Sequence, residues 1–118
     1  MEVTQKREIG TLNISEAVIE KIARLVVNEV EGVARLTPAP LTWKDVLFSS
    51  AGKKAIRLQV EAGVAEMDVY VILKAGYRIK DVAEHIQEYV KNAVQNMAAV
   101  TVSKVNVHVQ GVETKTKA

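Results

Sequence analysis

The sequence predicts an α+β domain in which two helices pack on one face of a small mixed sheet of three to four strands. Two segments place apolar residues at the three- and four-residue spacing of an amphipathic helix, and several others place them at alternate positions, as strands do. A helix leading into a valine-rich strand occurs twice, at 16–36 and at 81–110. The predicted order is α-β-β-β-α-β, with a short additional helix in the 38–54 connection, and both long helices are expected on the same face.

The composition limits the classes of site that the chain can carry. Its 118 residues suffice for one domain, 1–118, with the core expected over about 8–112 and a flexible tail at 113–118. The absence of cysteine excludes thiol nucleophiles, zinc–thiolate sites and iron–sulfur clusters, and it fits a reducing cytoplasm. The net charge is +2 with scattered basic residues, so charge makes nucleic-acid binding an unlikely role. We expect no transmembrane segment, since no apolar run is long enough.

The first helix has a clear start and a clear end in the sequence. Ser15 can accept a hydrogen bond from the first turn, and Glu16 follows where a carboxylate favours the positive end of the helix dipole. Gly32 can adopt the left-handed backbone that ends a helix. Between them runs an apolar stripe of Val18, Ile19, Ile22, Ala23, Leu25, Val26 and Val30.

The remaining elements follow from alternation and from a second stripe. Residues 55–74 are typical of a hairpin that turns at Ala62-Gly63, with Tyr70 and Ile72 on the opposite face of its second strand. The last strand alternates valines with polar residues, and it is expected beside the second hairpin strand if these two are parallel neighbours. The second helix is predicted over about 81–97, with these residues inward: Val82, Ala83, Ile86, Val90, Ala93, Val94 and Met97.

No constellation in the sequence predicts catalysis, a cofactor or a metal. His85 lies on the second helix and His108 on the last strand, and neither has a metal-ligand partner at a useful spacing. Both are interpreted as structural or solvated side chains. We therefore expect no catalytic, cofactor-binding or metal-binding residues and no enzymatic activity.

The connection over 37–54 is long for a compact domain and contains the only tryptophan and the only phenylalanine. Thr42 and Asp45 resemble a helix start, and a short amphipathic helix is predicted over 43–51. Two interpretations remain open. The helix could fold back over the sheet and cover Tyr70 and Ile72, or it could expose Trp43, Leu47 and Phe48 as a docking patch for a partner or a membrane surface.

An ordered set of motifs resembles the alkaline shock protein family, also called the alkaline shock protein twenty-three family, of envelope stress response proteins in mainly Gram-positive bacteria. The resemblance covers residues 8–112, and its motifs are Gly10-Thr-Leu-Asn-Ile-Ser, Glu29-Val-Glu-Gly-Val33, Asp68-Val-Tyr-Val71, Val82-Ala-Glu-His-Ile-Gln87, Val90-Lys-Asn-Ala-Val94 and Val105-Asn-Val107.

This resemblance implies a small, cytoplasmic, non-enzymatic interaction or scaffold protein that acts in cell-envelope stress response or in envelope and lipid homeostasis. It implies a protein partner such as a membrane anchor or an enzyme of lipid metabolism, placement at the inner face of the membrane through that partner, and homo-oligomers. The alternative from topology alone is a nucleic-acid-binding module of KH-like shape. Against it, the Gly-x-x-Gly loop of such domains is absent, since Gly52 stands alone before Lys53 and Lys54.

Overall fold

A computed structural model describes residues 14–39 and 54–114 of the chain. Its elements follow the predicted order α-β-β-β-α-β, and their bounds are α1 Glu16–Glu29, β1 Val33–Leu36, β2 Ile56–Glu61, β3 Val64–Lys74, α2 Ile79–Ala98 and β4 Thr101–Glu113. The α+β class is therefore confirmed. The short helix predicted within the 38–54 connection lies almost entirely outside the described residues.

β3 is the centre of a mixed sheet. β4 runs parallel to β3 along one edge, with Val69 opposite Val107 and Tyr70 opposite His108. The other edge is shared by two antiparallel strands: β2 pairs with the first half of β3, and β1 pairs with the second half. The parallel pairing considered from the sequence is thus confirmed, and its connection is α2.

β1 and β2 lie end to end, so that the two short strands act as one interrupted strand beside β3. At the junction, the Thr37 amide donates to the Tyr70 carbonyl at 3.0 Å, and the Tyr70 amide donates to the Ala55 carbonyl at 2.9 Å. The Ala39 amide donates to the Lys54 carbonyl at 3.2 Å. The chain therefore leaves the sheet after Ala39 and rejoins it at Lys54, one hydrogen bond away.

Both turns at the ends of β1 and β2 depend on left-handed backbone. The β2–β3 hairpin turns through Ala62 and Gly63 with φ of 53° and 80°, which matches the twist of the flanking strands. Gly32 has φ of 100° between α1 and β1, and a Cβ there would lie 2.7 Å from Val82 Cγ2. The glycine thus allows the end of α1 to contact the first turns of α2.

The hydrophobic core lies between the two helices and one face of the sheet. α1 begins as predicted, because the Ser15 Oγ accepts a hydrogen bond from the Val18 amide at 3.3 Å. α2 is tied to β4 by two glutamines: Gln87 donates to the Val105 carbonyl and Gln95 accepts from the Val102 amide. The largest fully buried side chains are Ile19, Val27, Ile56, Met67, Val69, Val71, Leu73, Ile86, Val90 and Val94.

Several details of the sequence prediction differ from the structure. α1 ends at Glu29, with Val30 as a C-cap in extended backbone, so Gly32 lies in the turn beyond the helix. α2 begins at Ile79, two residues before the predicted start, and Ile79 itself is half exposed. Met97, predicted to point inward, is exposed, because the buried row of α2 passes through Val94 and Ala98 instead. Glu113, assigned to the tail, is the last residue of β4, and its carbonyl accepts a hydrogen bond from the Ala75 amide.

Candidate functional site

The predicted docking residues Trp43, Leu47 and Phe48 lie outside the described residues. The structure does describe the point at which the segment containing these residues leaves the sheet. That point is the junction of β1 and β2 beside Tyr70, in the middle of the sheet. Ala39 and Ala55 on either side of the segment are both buried, so its two ends are held within packed structure.

The sheet face opposite the helices, here called the open face, carries a polar cluster around Asp68. Asp68 lies on β3 between Arg57 of β2 and Asn106 of β4, its partners in strand register. Asn106 Nδ2 donates to Asp68 Oδ1 at 3.1 Å, and His108 Nε2 lies 3.0 Å from the same oxygen. The carboxylate therefore joins two strands through side chains as well as through the backbone.

The environment of Asp68 favours its ionised form. Its partial burial by itself would raise the pKa of this carboxyl. The hydrogen bonds from His108 and Asn106 outweigh that effect and, with the charges of His108 and Arg57, hold the pKa of Asp68 below its ordinary value. A carboxylate with this environment is suited to a fixed structural contact rather than to accepting a proton near neutral pH.

Two apolar side chains lie next to the polar cluster on the open face. The ring of Tyr70 stacks on His108, with centroids 4.5 Å apart and planes 13° from parallel. Tyr70 is 9% exposed. Ile72 lies over Gly111, where a Cβ would come within 3.3 Å of Ile72 Cδ1. The prediction that Tyr70 and Ile72 occupy the second face of the strand agrees with this arrangement, and β3 is central as that prediction implied.

Charged pairs also lie on the open face. Lys104 Nζ lies 3.5 Å from Glu66 Oε2 one row from the Asp68 cluster, and Arg35 pairs with Glu113 at the far end of the sheet. Such exposed pairs contribute little to stability individually. Lys104 and Glu66 join the neighbouring strands β4 and β3, whereas Arg35 and Glu113 join β1 to β4 across β3.

The two histidines have different surroundings. His108 belongs to the Asp68 cluster, whereas His85 lies on the surface of α2 and stacks on Tyr89 with ring centroids 5.9 Å apart. Within residues 14–39 and 54–114, no group of three or more histidine, aspartate or glutamate side chains is arranged to hold a metal ion.

The helices expose more apolar surface than the sequence stripe predicted. Among the side chains that remain accessible are Val18 and Leu25 of α1, at 49% and 57%, and Tyr89 and Met97 of α2, at 48% and 68%. Val18 and Leu25 belong to the predicted stripe, of which only Ile19, Ala23 and Val30 are buried. Val27, which the prediction left out of the stripe, is fully buried. The apolar stripe of α1 is therefore wider than the part of the helix surface that packs on the sheet.

Sequence reasoning missed the Asp68 cluster as a unit. Asp68, Asn106 and His108 each stand at an outward position of a strand, which was visible in the alternation. Their meeting depends on the parallel register of β3 and β4, and an irregularity between Ala65 and Glu66 shifts that register by one residue. Local pattern does not encode such a shift.

A comparison with models of known protein families shows to which family this chain belongs. The model of the alkaline shock protein twenty-three family, described as having a cell envelope-related function, matches residues 4–114. The chain belongs to this family. The resemblance inferred from the motifs is therefore confirmed, and the family's function is related to the cell envelope.

Relatives in Gram-positive bacteria support the assignment. The chain is 37% identical over 105 residues to Spy1535, an uncharacterized protein of Streptococcus pyogenes, a match that spans 88% of this chain and 80% of the relative. It is 29% identical over 111 residues to YqhY, an uncharacterized protein of Bacillus subtilis, over 93% of this chain and 82% of the relative.

One solved structure shares the fold at low sequence identity. The structure of MamM-CTD matches with a TM-score of 0.51 at 13% identity, over 86% of this chain and 100% of that one. At this identity the likeness concerns the fold alone. Neither helix within the described part of this family member has the length and apolar character needed to cross a bilayer.

Proposed function

We propose that this protein is a non-enzymatic scaffold of the cell envelope that self-associates and docks to a protein partner through Trp43, Leu47 and Phe48. In this proposal it acts in the cytoplasm in envelope stress response or in envelope and lipid homeostasis. It reaches the inner face of the membrane through its partner, a membrane-anchored protein or an enzyme of lipid metabolism.

The observation that carries the proposal is the geometry of the β1–β2 junction. Residues 40–53 are inserted into what is otherwise one strand, and both of their ends are fixed to the sheet by hydrogen bonds at Thr37, Ala39 and Ala55. Recognition segments are commonly held this way, on a rigid scaffold whose own fold does not depend on them. Aromatic anchors such as Trp43 and Phe48 are typical of the centre of a protein interface.

The polar side chains of the open face support a role in binding rather than in catalysis. Asp68 shares one carboxylate oxygen between Asn106 and His108, and its pKa is lowered rather than raised toward neutrality. General bases in active sites usually show the opposite shift. The arrangement stiffens the platform from which the inserted segment leaves.

The test is affinity capture of tagged protein from a lysate of a related Gram-positive bacterium, with the membrane fraction included. Three proteins are compared: the unmodified chain, Trp43→Ala and the control Val112→Ala, which truncates an exposed apolar residue of β4. We expect the unmodified chain and the control to retain one membrane or lipid-synthesis protein that Trp43→Ala loses. Thermal unfolding of all three proteins is measured in parallel.

Two results would contradict this function. If Trp43→Ala unfolds at a markedly lower temperature but still retains the partner, Trp43 belongs to the core and the docking assignment is wrong. If RNA is captured instead, with affinity that falls steeply as salt rises, the chain is a nucleic-acid-binding module.

A further inference from the structure

We infer that the outer edge of β4, from Val105 to Val109, is a binding site for an extended segment of another protein, which adds to the sheet as a further strand. The segment is recognised through its main chain and through apolar side chains at alternate positions. This site is separate from the segment that contains Trp43, and it gives the proposed scaffold a second interaction surface.

Two glutamines of α2 close the first part of the outer edge of β4. Gln95 Oε1 accepts a hydrogen bond from the Val102 amide at 3.0 Å, and Gln87 Nε2 donates to the Val105 carbonyl at 3.1 Å. These two backbone groups therefore point away from β3. Their partners show that the fold satisfies the edge with side chains where no strand can reach it.

The outer edge continues beyond the two glutamines. The ladder with β3 is regular from Val105 to Val109, and the backbone groups of successive residues alternate between the two edges of a strand. The N–H and C=O groups of Val107 and Val109 therefore lie on the same edge as the Val105 carbonyl, whereas those of Asn106 and His108 face β3. Among the described strands, β4 pairs with β3 alone. Val107 and Val109 thus offer two donors and two acceptors to a further strand.

This stretch of β4 lacks the features that usually protect a sheet edge from pairing. Val105-Asn-Val-His-Val109 contains no lysine, arginine, aspartate, glutamate or proline. Irregularities in the register lie on both sides of the stretch and delimit it. At the opposite edge of the sheet, β2 is only six residues long and carries Arg57 and Glu61. The two edges therefore differ, and the edge of β4 is the one that accepts a strand.

The side chains beside the outer edge define the kind of segment that fits. Val107 and Val109 lie on the covered face but are only partly buried, unlike Val102 and Val105. A strand paired with β4 places alternate side chains next to these valines, where apolar groups would bury surface that the helices leave accessible. Its other side chains would lie beside His108 on the open face. A segment that alternates apolar and polar residues therefore fits.

The charges along this edge favour a peptide over an anionic membrane or a nucleic acid. Together with Gln87 and Gln95, the side of α2 next to the edge carries exposed charges of both signs, namely Lys80, Glu84, Glu88 and Lys91. On the open face, Lys104 is paired with Glu66. Membranes and nucleic acids bind through a surplus of positive charge, which this edge lacks. A row of backbone donors and acceptors is instead the feature that an added strand recognises.

Amide hydrogen exchange of the full chain, measured residue by residue by NMR, tests whether the edge is open. We expect the amides of Val107 and Val109 to exchange roughly a hundredfold faster, or more, than those of Asn106 and His108, which donate to β3. Slow exchange of all four amides would overturn the inference. If it did not depend on protein concentration, another part of the chain would cover the edge, and if it did, a second copy would.

Binding is measured with fluorescent ten-residue peptides, chosen from a displayed random library by selection on the full chain. We expect these peptides to alternate apolar and polar residues. Methylating the backbone nitrogens at one set of alternate positions should raise the dissociation constant at least about tenfold, because it removes the donors that face β4. Methylating the other set is the matched control and should have little effect. Equal effects of the two sets, or a selection that yields no peptide, would contradict strand addition.

A pair of variants locates the binding on β4. Val107→Pro removes an outward N–H and no bond to β3, so it should weaken peptide binding by about tenfold while the chain stays folded. Val107→Thr retains the N–H and the branched shape, and it should bind like the unmodified chain. Peptide binding that ignores Val107→Pro in a folded chain would place the peptide elsewhere. If Val107→Pro unfolds the chain, the two methylated peptides on the unmodified chain decide.

Trp43→Ala separates this site from the proposed function. The variant should bind the selected peptides as the unmodified chain does, because Val105 to Val109 lie on the opposite edge of the sheet from the β1–β2 junction. Loss of peptide binding in folded Trp43→Ala would assign the peptides to the Trp43 segment and overturn the inference. Partner capture that depends on Trp43 can succeed or fail with either result at β4.

Discussion

The two faces of β3 are built from alternate residues of the same strand, yet they are stabilised in different ways. On the covered face, Ala65, Met67, Val69, Val71 and Leu73 are all essentially inaccessible to solvent. On the open face, Glu66, Asp68 and Ile72 are partly buried and Tyr70 is buried against His108. Polar contacts to neighbouring strands there take the place of helix packing. Packing against the helices therefore stabilises the covered face, whereas contacts between side chains of neighbouring strands stabilise the open face.

The largest difference in stability is expected between substitutions of Met67 and Asp68, which are neighbours on β3 but lie on opposite faces of the sheet. Met67→Ala removes a fully buried side chain and leaves a cavity under the helices, so the free energy of unfolding should fall by about 2–5 kcal/mol. Urea unfolding of this variant beside Asp68→Ala gives the comparison. If Asp68→Ala proved equally destabilising, the open face would contribute as much as the core, and the contrast between the faces would be wrong.

Gly32 tests how closely the covered side is packed where α1 meets α2. Gly32→Ala must adopt a φ near 100°, and its new methyl group would lie 2.7 Å from Val82 Cγ2, so we expect a loss of about 2–3 kcal/mol. Thermal unfolding measures the loss. Gly63→Ala is the control, because its φ is also positive but no atom lies within 4 Å of the new Cβ, so the difference between the variants isolates the packing.

The Asp68 cluster should have a smaller and pH-dependent effect. The folded state lowers the pKa of Asp68 below its ordinary value of 3.8. The Asp68 carboxylate therefore stabilises the protein at pH values above 3.8, and this stabilisation is lost as the pH falls below that value. Asp68→Asn should cost less than about 1 kcal/mol at pH 7, since the side chain is 37% exposed and solvent screens its charge.

Chemical unfolding at pH 7, 5 and 3 checks this prediction. The difference in unfolding free energy between the unmodified protein and Asp68→Asn should shrink over the acidic part of the series. A difference that stayed constant with pH would mean that the hydrogen-bond geometry, and not the carboxylate charge, provides the stabilisation.

The smallest effect is expected at Gly111, on the open face of β4. Gly111→Ala brings a methyl group within 3.3 Å of the end of the Ile72 side chain, which can move because it is only partly buried. The reduced freedom of the unfolded chain compensates, so the net change should stay within about 0.5 kcal/mol. A larger loss in a thermal unfolding scan would show that the open face is packed as tightly as the covered one.

The sequence predicted most of this fold because each element has a strong local pattern. Ser15 marked the start of the first helix, and Gly32 marked the turn after it rather than its last residue, which is Glu29. The alternation around Met67 and Val69 identified both faces of β3. Even the turn at Ala62-Gly63 was visible, since glycine tolerates the backbone that a tight hairpin needs.

The parts that escaped prediction depend on distant pairings. Nothing near Asp68 in the sequence indicates that His108 lies beside it, because strand register and its irregularities are set by the whole sheet. Met97 fits a helical stripe as well as Val94 does, but the buried row of α2 passes through Val94 and Ala98, and Met97 is exposed. Trp43, Leu47 and Phe48 remain a prediction, since they lie outside the described residues.

Because β1 and β2 lie end to end, the segment that connects them can be replaced by another sequence. The insertion begins and ends one hydrogen bond apart, between Ala39 and Lys54, so its length can change without moving either strand. Doubling such a segment costs only about 0.6 kcal/mol in closure entropy. A foreign peptide grafted between Ala39 and Lys54 should therefore leave the pairing of β1 and β2 with β3 unchanged.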